Sequence, residues 1–282
     1  MKFLTYRPPG GPARAGVLEG NAIRPLRTPT LRDYIALAPR ERDDGFERGD
    51  LIPLETVVLD APVRPARNVF CVGRNYLEHA REGARAAGRE LKLPTVPTFF
   101  TKATTAIAPP DASLHFQASI SAEYDYEAEL AVVIGTACKD VAEDEALGVV
   151  FGYTALNDLT ARDLQRSHGQ WFKGKSLDGS CPIGPWIVTG DELGDPQALE
   201  LRLRRNGVSK QQSNTAGMIF SIPRLIAELS KGMTLLPGDV IATGTPEGVG
   251  FARNPPEFLL DGDILEVEIE RIGVLRNRIA IA

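Results

Sequence analysis

Hydrophobic and polar positions change period along this chain, and the changes mark its elements. Leu265, Val267 and Ile269 alternate with Glu266, Glu268 and Glu270, the period-two pattern of a half-buried strand. Glu127 to Gly135 opens on spaced carboxylates and closes in an apolar run, Leu130 to Ile134, which predicts a strand with a buried end. Val69 to Val72 predicts a short strand ending at Gly73, and Gly152 to Asn157 predicts another. Phe3, Leu4 and Tyr6 open a strand that Pro8, Pro9 and the glycines at 10 and 11 break. Helices are expected over Asn75–Ala87, with Asn75 as N-cap and Gly88 as stop, and over Glu143–Phe151, Leu159–Ser167 and Ser221–Lys231. The last has Ser221 as N-cap, Pro223 in its first turn and Gly232 at its end. Leu31–Ala38 is a further short element, and the turns Gly238-Asp239 and Gly262-Asp263 each lead into a strand. Strand and helix do not alternate regularly, so the pattern predicts a strand-rich α+β protein and not a doubly wound sheet.

Residues 1 to about 60 read as a separate small unit, and Asp60–Arg67, with two prolines, reads as a connector. The expected division is a small N-terminal domain, residues 1–66, and a catalytic domain, residues 67–282. With 282 residues, 43% hydrophobic and 24% charged, the chain can bury a core and is not globally disordered. A net charge of −5 lacks the basic excess of a nucleic-acid binder. Cys71, Cys138 and Cys181 are odd in number, far apart and without a CxxC pair, which argues against a disulfide framework or a structural zinc site. Met1 to Arg7 does not read as a signal peptide, and the apolar stretches are too short to cross a bilayer. The cytoplasm is the expected compartment, with no membrane partner.

Glu127 and Glu129 lie two apart on a predicted strand, which puts both carboxylates on one face with Cα atoms roughly 6.5–7 Å apart. So placed beside a buried run they repel and are costly, unless a divalent cation lies between them. Oxygen ligands favour Mg²⁺, Mn²⁺ or Ca²⁺ over zinc. Taken alone the pair fits a solvent-facing strand with two ordinary glutamates better than a metal site. Asp158, between the Gly152–Asn157 strand and the next helix, suits a third metal oxygen or a helix N-cap, and its spacing does not choose. His79 and Glu82, three apart on a predicted helix, share a face, where a carboxylate fixes the imidazole tautomer and raises its basicity.

Six segments in order carry a resemblance. They are Gly73–Glu82 (GRNYLEHARE), Tyr126–Leu130 (YEAEL), Asn157–Asp163 (NDLTARD), Lys173–Asp178 (KGKSLD), Met218–Phe220 (MIF) and Thr243–Gly250 (TGTPEGVG). Together, over roughly residues 69 to 270, they resemble the fumarylacetoacetate hydrolase family. The resemblance implies a mixed β-sandwich roll, a divalent metal, usually a homodimer, and chemistry on acylpyruvates or related 2-oxo or 2-hydroxy-dienoic acids. It assigns Glu127, Glu129 and Asp158 to the metal, Mg²⁺ first, with Mn²⁺ or Ca²⁺ as substitutes. It places Arg162, Gln165, Lys102 and Thr245 around the substrate, and gives His79, Glu82 and Lys175 catalytic roles. The segment Asp178-Gly179-Ser180-Cys181-Pro182 departs from the commoner Asp-Thr pattern of the family, which alters the expected pocket shape there.

The expected reaction is metal-assisted cleavage of a C–C bond in a small anionic keto acid, with isomerisation, tautomerisation or decarboxylation at the same site as alternatives. A metal-binding scaffold without catalysis is the reading from another class, against which His79, Glu82 and Lys175 argue. Three carboxylates against one divalent ion leave −1, which Arg162 and Lys175 make positive enough to receive a carboxylate. Tyr76 to Lys92, rich in charge and poor in apolar positions, is expected to move in the absence of substrate.

Overall fold

The run Leu130–Ile134 lies in the strand Ala128–Ile134, every residue of which is buried. Its two faces serve two cores. Leu130, Val132 and Ile134 point into one with Leu201, Leu203, Leu265 and Val267, and Ala131 and Val133 into another with Phe3, Tyr34 and Ile35. A strand covered on both sides gains nothing from alternation, which is why it reads as a continuous apolar run. The computed structural model describes residues 1–282, the side chains of residues 39 and 43 apart.

Ala128–Ile134 sits inside a twelve-stranded mixed sheet. Val150–Asn157 flanks it on one side and Val240–Ala242 on the other, both antiparallel. Beyond Val240–Ala242 come Val69–Gly73, in parallel, and then Thr98–Lys102. Beyond Val150–Asn157 comes Cys181–Thr189. A second sheet of five strands holds Glu200–Arg205, Ile264–Ile269 and Gly273–Ile281 as neighbours. In Ile264–Ile269 the odd positions are buried and the even ones half-buried, as the alternation requires. The fold is strand-rich α+β.

The first 66 residues extend the large sheet. Lys2–Arg7 pairs with Cys181–Thr189 through Lys2↔Val188 and Phe3↔Ile187. Phe3, Leu31, Tyr34 and Ile35 pack in the same core as Ala131, Phe151 and Ile187. The short element predicted at Leu31–Ala38 is a helix, Leu31–Ala36, capped reciprocally by Thr30 and Asp33.

Three sequence expectations change. Glu143–Phe151 holds only a 3₁₀ turn, Ala146–Val149, before the chain enters the strand Val150–Asn157. Val149, Val150 and Phe151 favour strand, and neighbours on both sides complete the ladder. The helix expected from Leu159 begins at Arg162, because Thr160–Ala161 first pairs with Tyr124–Asp125. Asn75 caps no helix. The helix is Leu77–Ala86, and the Asn75 amide instead donates to the carbonyls of Thr243 and Phe220 and accepts from the Phe220 N–H. That ties the Gly73–Glu82 segment to the Thr243–Gly250 loop. Ser221 caps its helix as expected, accepting from the Arg224 N–H.

Candidate active site

Strand register assembles the acidic triad. Ala128 faces Asn157, so the next step of the ladder sets Asp158 beside Glu127. The Asp158 N–H donates to the Glu127 carbonyl at 2.9 Å, and the Glu127 N–H to Asn157 Oδ1 at 3.0 Å. Alternation then turns Glu127 and Glu129 to one side. Carboxylate oxygens of Glu127, Glu129 and Asp158 lie within 4.8 Å of one another, and all three residues are buried. Carboxylates gathered this way repel one another without cations among them.

Cations are built in. Lys175 Nζ donates to Glu127 Oε2 and to Asp158 Oδ2, both at 2.7 Å. Lys102 Nζ donates to Asp158 Oδ1 at 2.7 Å and to the Leu159 carbonyl. Arg162 bridges Glu127 Oε1 at 2.7 Å and Asp125 Oδ2 at 2.8 Å. Burial alone would raise the Glu127 carboxyl, but Lys175 and then Arg162 overcome it and hold it at about 2. Burial would lower Lys175 and Arg162, and their carboxylate partners raise both instead. Among the described residues no cation pairs with Glu129. It accepts the Gly244 N–H, at 2.7 Å, and burial, then Asp158 and Glu127, push its carboxyl well above the usual range, against a smaller opposing pull from Lys175. The four carboxylates Asp125, Glu127, Glu129 and Asp158 against Lys102, Arg162 and Lys175 leave −4 + 3 = −1. The uncompensated charge sits at Glu129. A divalent ion fits this donor set, because three converging oxygens suit a hard cation and the ion would relieve the one carboxylate that the protein leaves without a counter-charge.

The triad opens on a cavity of about 1160 Å³ lined by Glu127, Glu129, Lys175, Arg162, Gln165, Thr245 and His79. His79 Nδ1 lies 2.9 Å from Glu82 Oε1. Glu82 is itself held by the Gly248 N–H, at 3.0 and 2.9 Å to its two oxygens. With Nδ1–H directed at the carboxylate, Nε2 is the nitrogen left to take a proton. Gly248 has φ +97°, and a Cβ there would fall 2.2 Å from the Lys210 carbonyl, so the loop that holds Glu82 requires glycine.

Of the residues that the sequence put around the substrate, Arg162, Gln165 and Thr245 line this cavity. Arg162 also donates to Gln165 Oε1 at 3.2 Å. Lys102 does not line it. Its ammonium is fully buried behind Asp158, where it holds that carboxylate. Two residues escaped the sequence reading. Asp125 pairs with Arg162 and takes the N–H groups of Gly250 and Phe251. Gln211 accepts from the Ala128 N–H and donates to Thr245 Oγ1 and the Pro246 carbonyl. Asp125 had a signal, since Asp125, Glu127 and Glu129 recur at every second position. Gln211 had none.

Residues 68–280 match the family model described as fumarylacetoacetate (FAA) hydrolase C-terminal. The chain is 45% identical over 227 residues to the oxaloacetate tautomerase YisK of Bacillus subtilis (strain 168), covering 80% of this chain and 74% of that protein. It is 42% identical over 221 residues to a 2,4-didehydro-3-deoxy-L-rhamnonate hydrolase of Sphingomonas sp. (strain SKA58), covering 78% and 75%. The crystal structure of 2-hydroxyhepta-2,4-diene-1,7-dioate isomerase from Mycobacterium marinum superposes with a TM-score of 0.80 at 36% identity, over 100% of this chain and 98% of that one. Among the described residues no helix is long and apolar enough to cross a membrane.

Proposed function

The chain belongs to the fumarylacetoacetate hydrolase family, and we propose that it is a divalent-metal-dependent enzyme moving a proton at the carbon next to the keto group of a small 2-oxo acid, interconverting keto and enol forms. The observation that carries this reading is one cavity lined by Glu127 and Glu129 of the carboxylate triad and by His79, whose ring Glu82 holds. Glu127, Glu129 and Asp158 would hold Mg²⁺ or Mn²⁺, with Ca²⁺ a weaker candidate. The ion, when bound, supplies a Lewis acid for the negative charge that develops on the keto oxygen. Lys175, raised and therefore charged, adds a second cation on that side. His79 Nε2 takes the proton from carbon and returns it, while Glu82 fixes the ring and stabilises the imidazolium that forms. Arg162 and Gln165 orient the carboxylate end, and Thr245, held by Gln211, closes that side.

This places proton transfer ahead of the C–C cleavage expected from the sequence, in keeping with the tautomerase and isomerase among the similar proteins. Hydrolysis of an acylpyruvate or related 2-oxo acid is the second reading, favoured by the similar rhamnonate-derivative hydrolase. There the same His79–Glu82 pair takes its proton from water. Incubation with enol-oxaloacetate and with acetopyruvate, in Mg²⁺ and followed by proton NMR, separates the two. Faster loss of the enol signal with carbon count unchanged supports the first reading, and appearance of acetate and pyruvate the second. We further propose a cytoplasmic homodimer, which light scattering on the full chain would test.

A further inference from the structure

Arg74 ends the Val69–Gly73 strand in a left-handed conformation, φ +58°, that side chains other than glycine adopt at a cost. Such a position persists only where its surroundings hold it, and it is found at sites that use the side chain. The surroundings here are specific. Gly73 has no side chain, and the Trp171 ring fills the space: a Cβ on Gly73 would lie 2.3 Å from that ring. The Arg74 guanidinium stands over the same ring, 5.6 Å from its centroid. Phe100 meets Trp171 edge-on at 5.2 Å, and the Lys175 ammonium lies 5.3 Å from the Phe100 ring. An aromatic wall therefore runs from the acidic triad to Arg74 within one cavity.

The cavity's cations are not equivalent. Lys175 and Arg162 are committed to Glu127, Asp158 and Asp125, and Arg166 is paired with Glu123. Among the described residues Arg74 makes no hydrogen bond or ion pair, and its exposed side chain lines the cavity with donors to spare. Arg89 and Lys92 line the same cavity and add positive charge, with Glu90 between them in sequence; of the cavity's other carboxylates, Glu123 and Glu127 are already paired with cations. A substrate whose one carboxylate sits at the triad would leave this cationic end without a partner. A planar guanidinium backed by an indole is built for a carboxylate, which it can bind through two parallel hydrogen bonds.

We propose that Arg74, standing on Trp171, is a specificity-determining residue that receives the second carboxylate of a 2-oxo diacid anchored at the triad, the carbon spacer lying along Trp171 and Phe100. The inference rests on the proposed function, since the anchored end is the one that the triad and its ion would hold. Calorimetric binding in Mg²⁺ tests it with oxalate, with 2-oxoglutarate and 2-oxoadipate, and with the monoacids of matching length, 2-oxovalerate and 2-oxohexanoate. The parent should bind at least one diacid about tenfold or more tighter than its matched monoacid. Arg74→Gln should remove that preference and leave oxalate within about twofold. Arg74→Gly, which suits the left-handed backbone and so folds without strain, should lose the preference in the same way, assigning the loss to the guanidinium. Equal binding of diacids and monoacids by the parent, or a preference that survives in both variants, overturns the inference while oxalate binding upholds the triad. Failure of oxalate to bind the parent overturns the reading of the site and the inference with it.

Discussion

Glu127 and Glu129 stand two residues apart, the first just before the strand Ala128–Ile134 and the second within it, yet neutralising them should move the stability of the metal-free protein in opposite directions. Glu127 is held at about 2 against an ordinary 4.5, because two buried cations lean on it. That drop is worth roughly 3 kcal/mol of folding stability. The contribution is complete above pH 4.5 and is lost as pH falls through about 2. Glu127→Gln should therefore cost about 3 kcal/mol at neutral pH, in the range expected when one partner of a buried ion pair is removed. Glu129 is raised, so above pH 4.5 the folded state keeps a proton that the unfolded chain gives up. Its penalty grows with pH until the raised value is passed. Glu129→Gln imitates the protonated form and keeps an acceptor for the Gly244 N–H, so it should equal or exceed the parent at pH 7.5 and converge on it toward pH 5. Both variants should lose Mg²⁺ binding. Urea unfolding of EDTA-treated protein by circular dichroism at the two pH values measures this. A loss for Glu129→Gln at pH 7.5 as large as that for Glu127→Gln would refute the charge assignment.

The same raised carboxyl predicts that Mg²⁺ displaces a proton; calorimetry in buffers of different ionisation heat should show net proton release on Mg²⁺ binding, and zero release would place the ion elsewhere. His79→Gln should lower kcat by roughly 10²–10⁴ with Mg²⁺ affinity unchanged, and Glu82→Gln should lower it less, because Gly248 still positions that side chain. Hydrogen exchange across Tyr76–Lys92 should slow when oxalate and Mg²⁺ are added, since residues 87 to 93 are exposed while His79 is buried against the cavity. Equal protection in both states would make the helix a fixed wall.

Elements that rest on local rules were legible in the sequence. Ser221, Gly232 and the two Gly-Asp turns mark boundaries through backbone chemistry that acts within a few residues, and the structure keeps them. Elements that rest on partners were not. Val150 and Phe151 favour strand by residue type, but only weakly against the helical reading of the segment that precedes them. Their strand is decided by Ala128–Ile134 and Cys181–Thr189, tens of residues away on either side. Asn75 shows the same limit in one side chain. It has the chemistry of a cap, but the groups that claim it belong to Thr243 and Phe220.

The site divides along the same line. Glu127 and Glu129 could be read from a spacing of two, and His79 with Glu82 from a spacing of three, because each pair lies on one element. What those pairs do depends on residues brought in by topology. Lys102 arrives from Thr98–Lys102, a strand paired with Val69–Gly73 and not with Val150–Asn157, and buries its ammonium behind Asp158 instead of facing the cavity. Gln211 comes from the second sheet and ties Ala128 to Thr245, joining the acidic strand to the glycine-rich loop through one amide. The family resemblance picks out Lys102 but not its place behind Asp158, and nothing in the sequence announces Gln211. Sequence spacing therefore locates the groups that carry charge, and the long-range pairing of strands decides which of those charges are left without partners. Among the described residues that line this cavity, Glu129, beside the triad, and Arg74, at its exposed edge, are two that no ion pair claims.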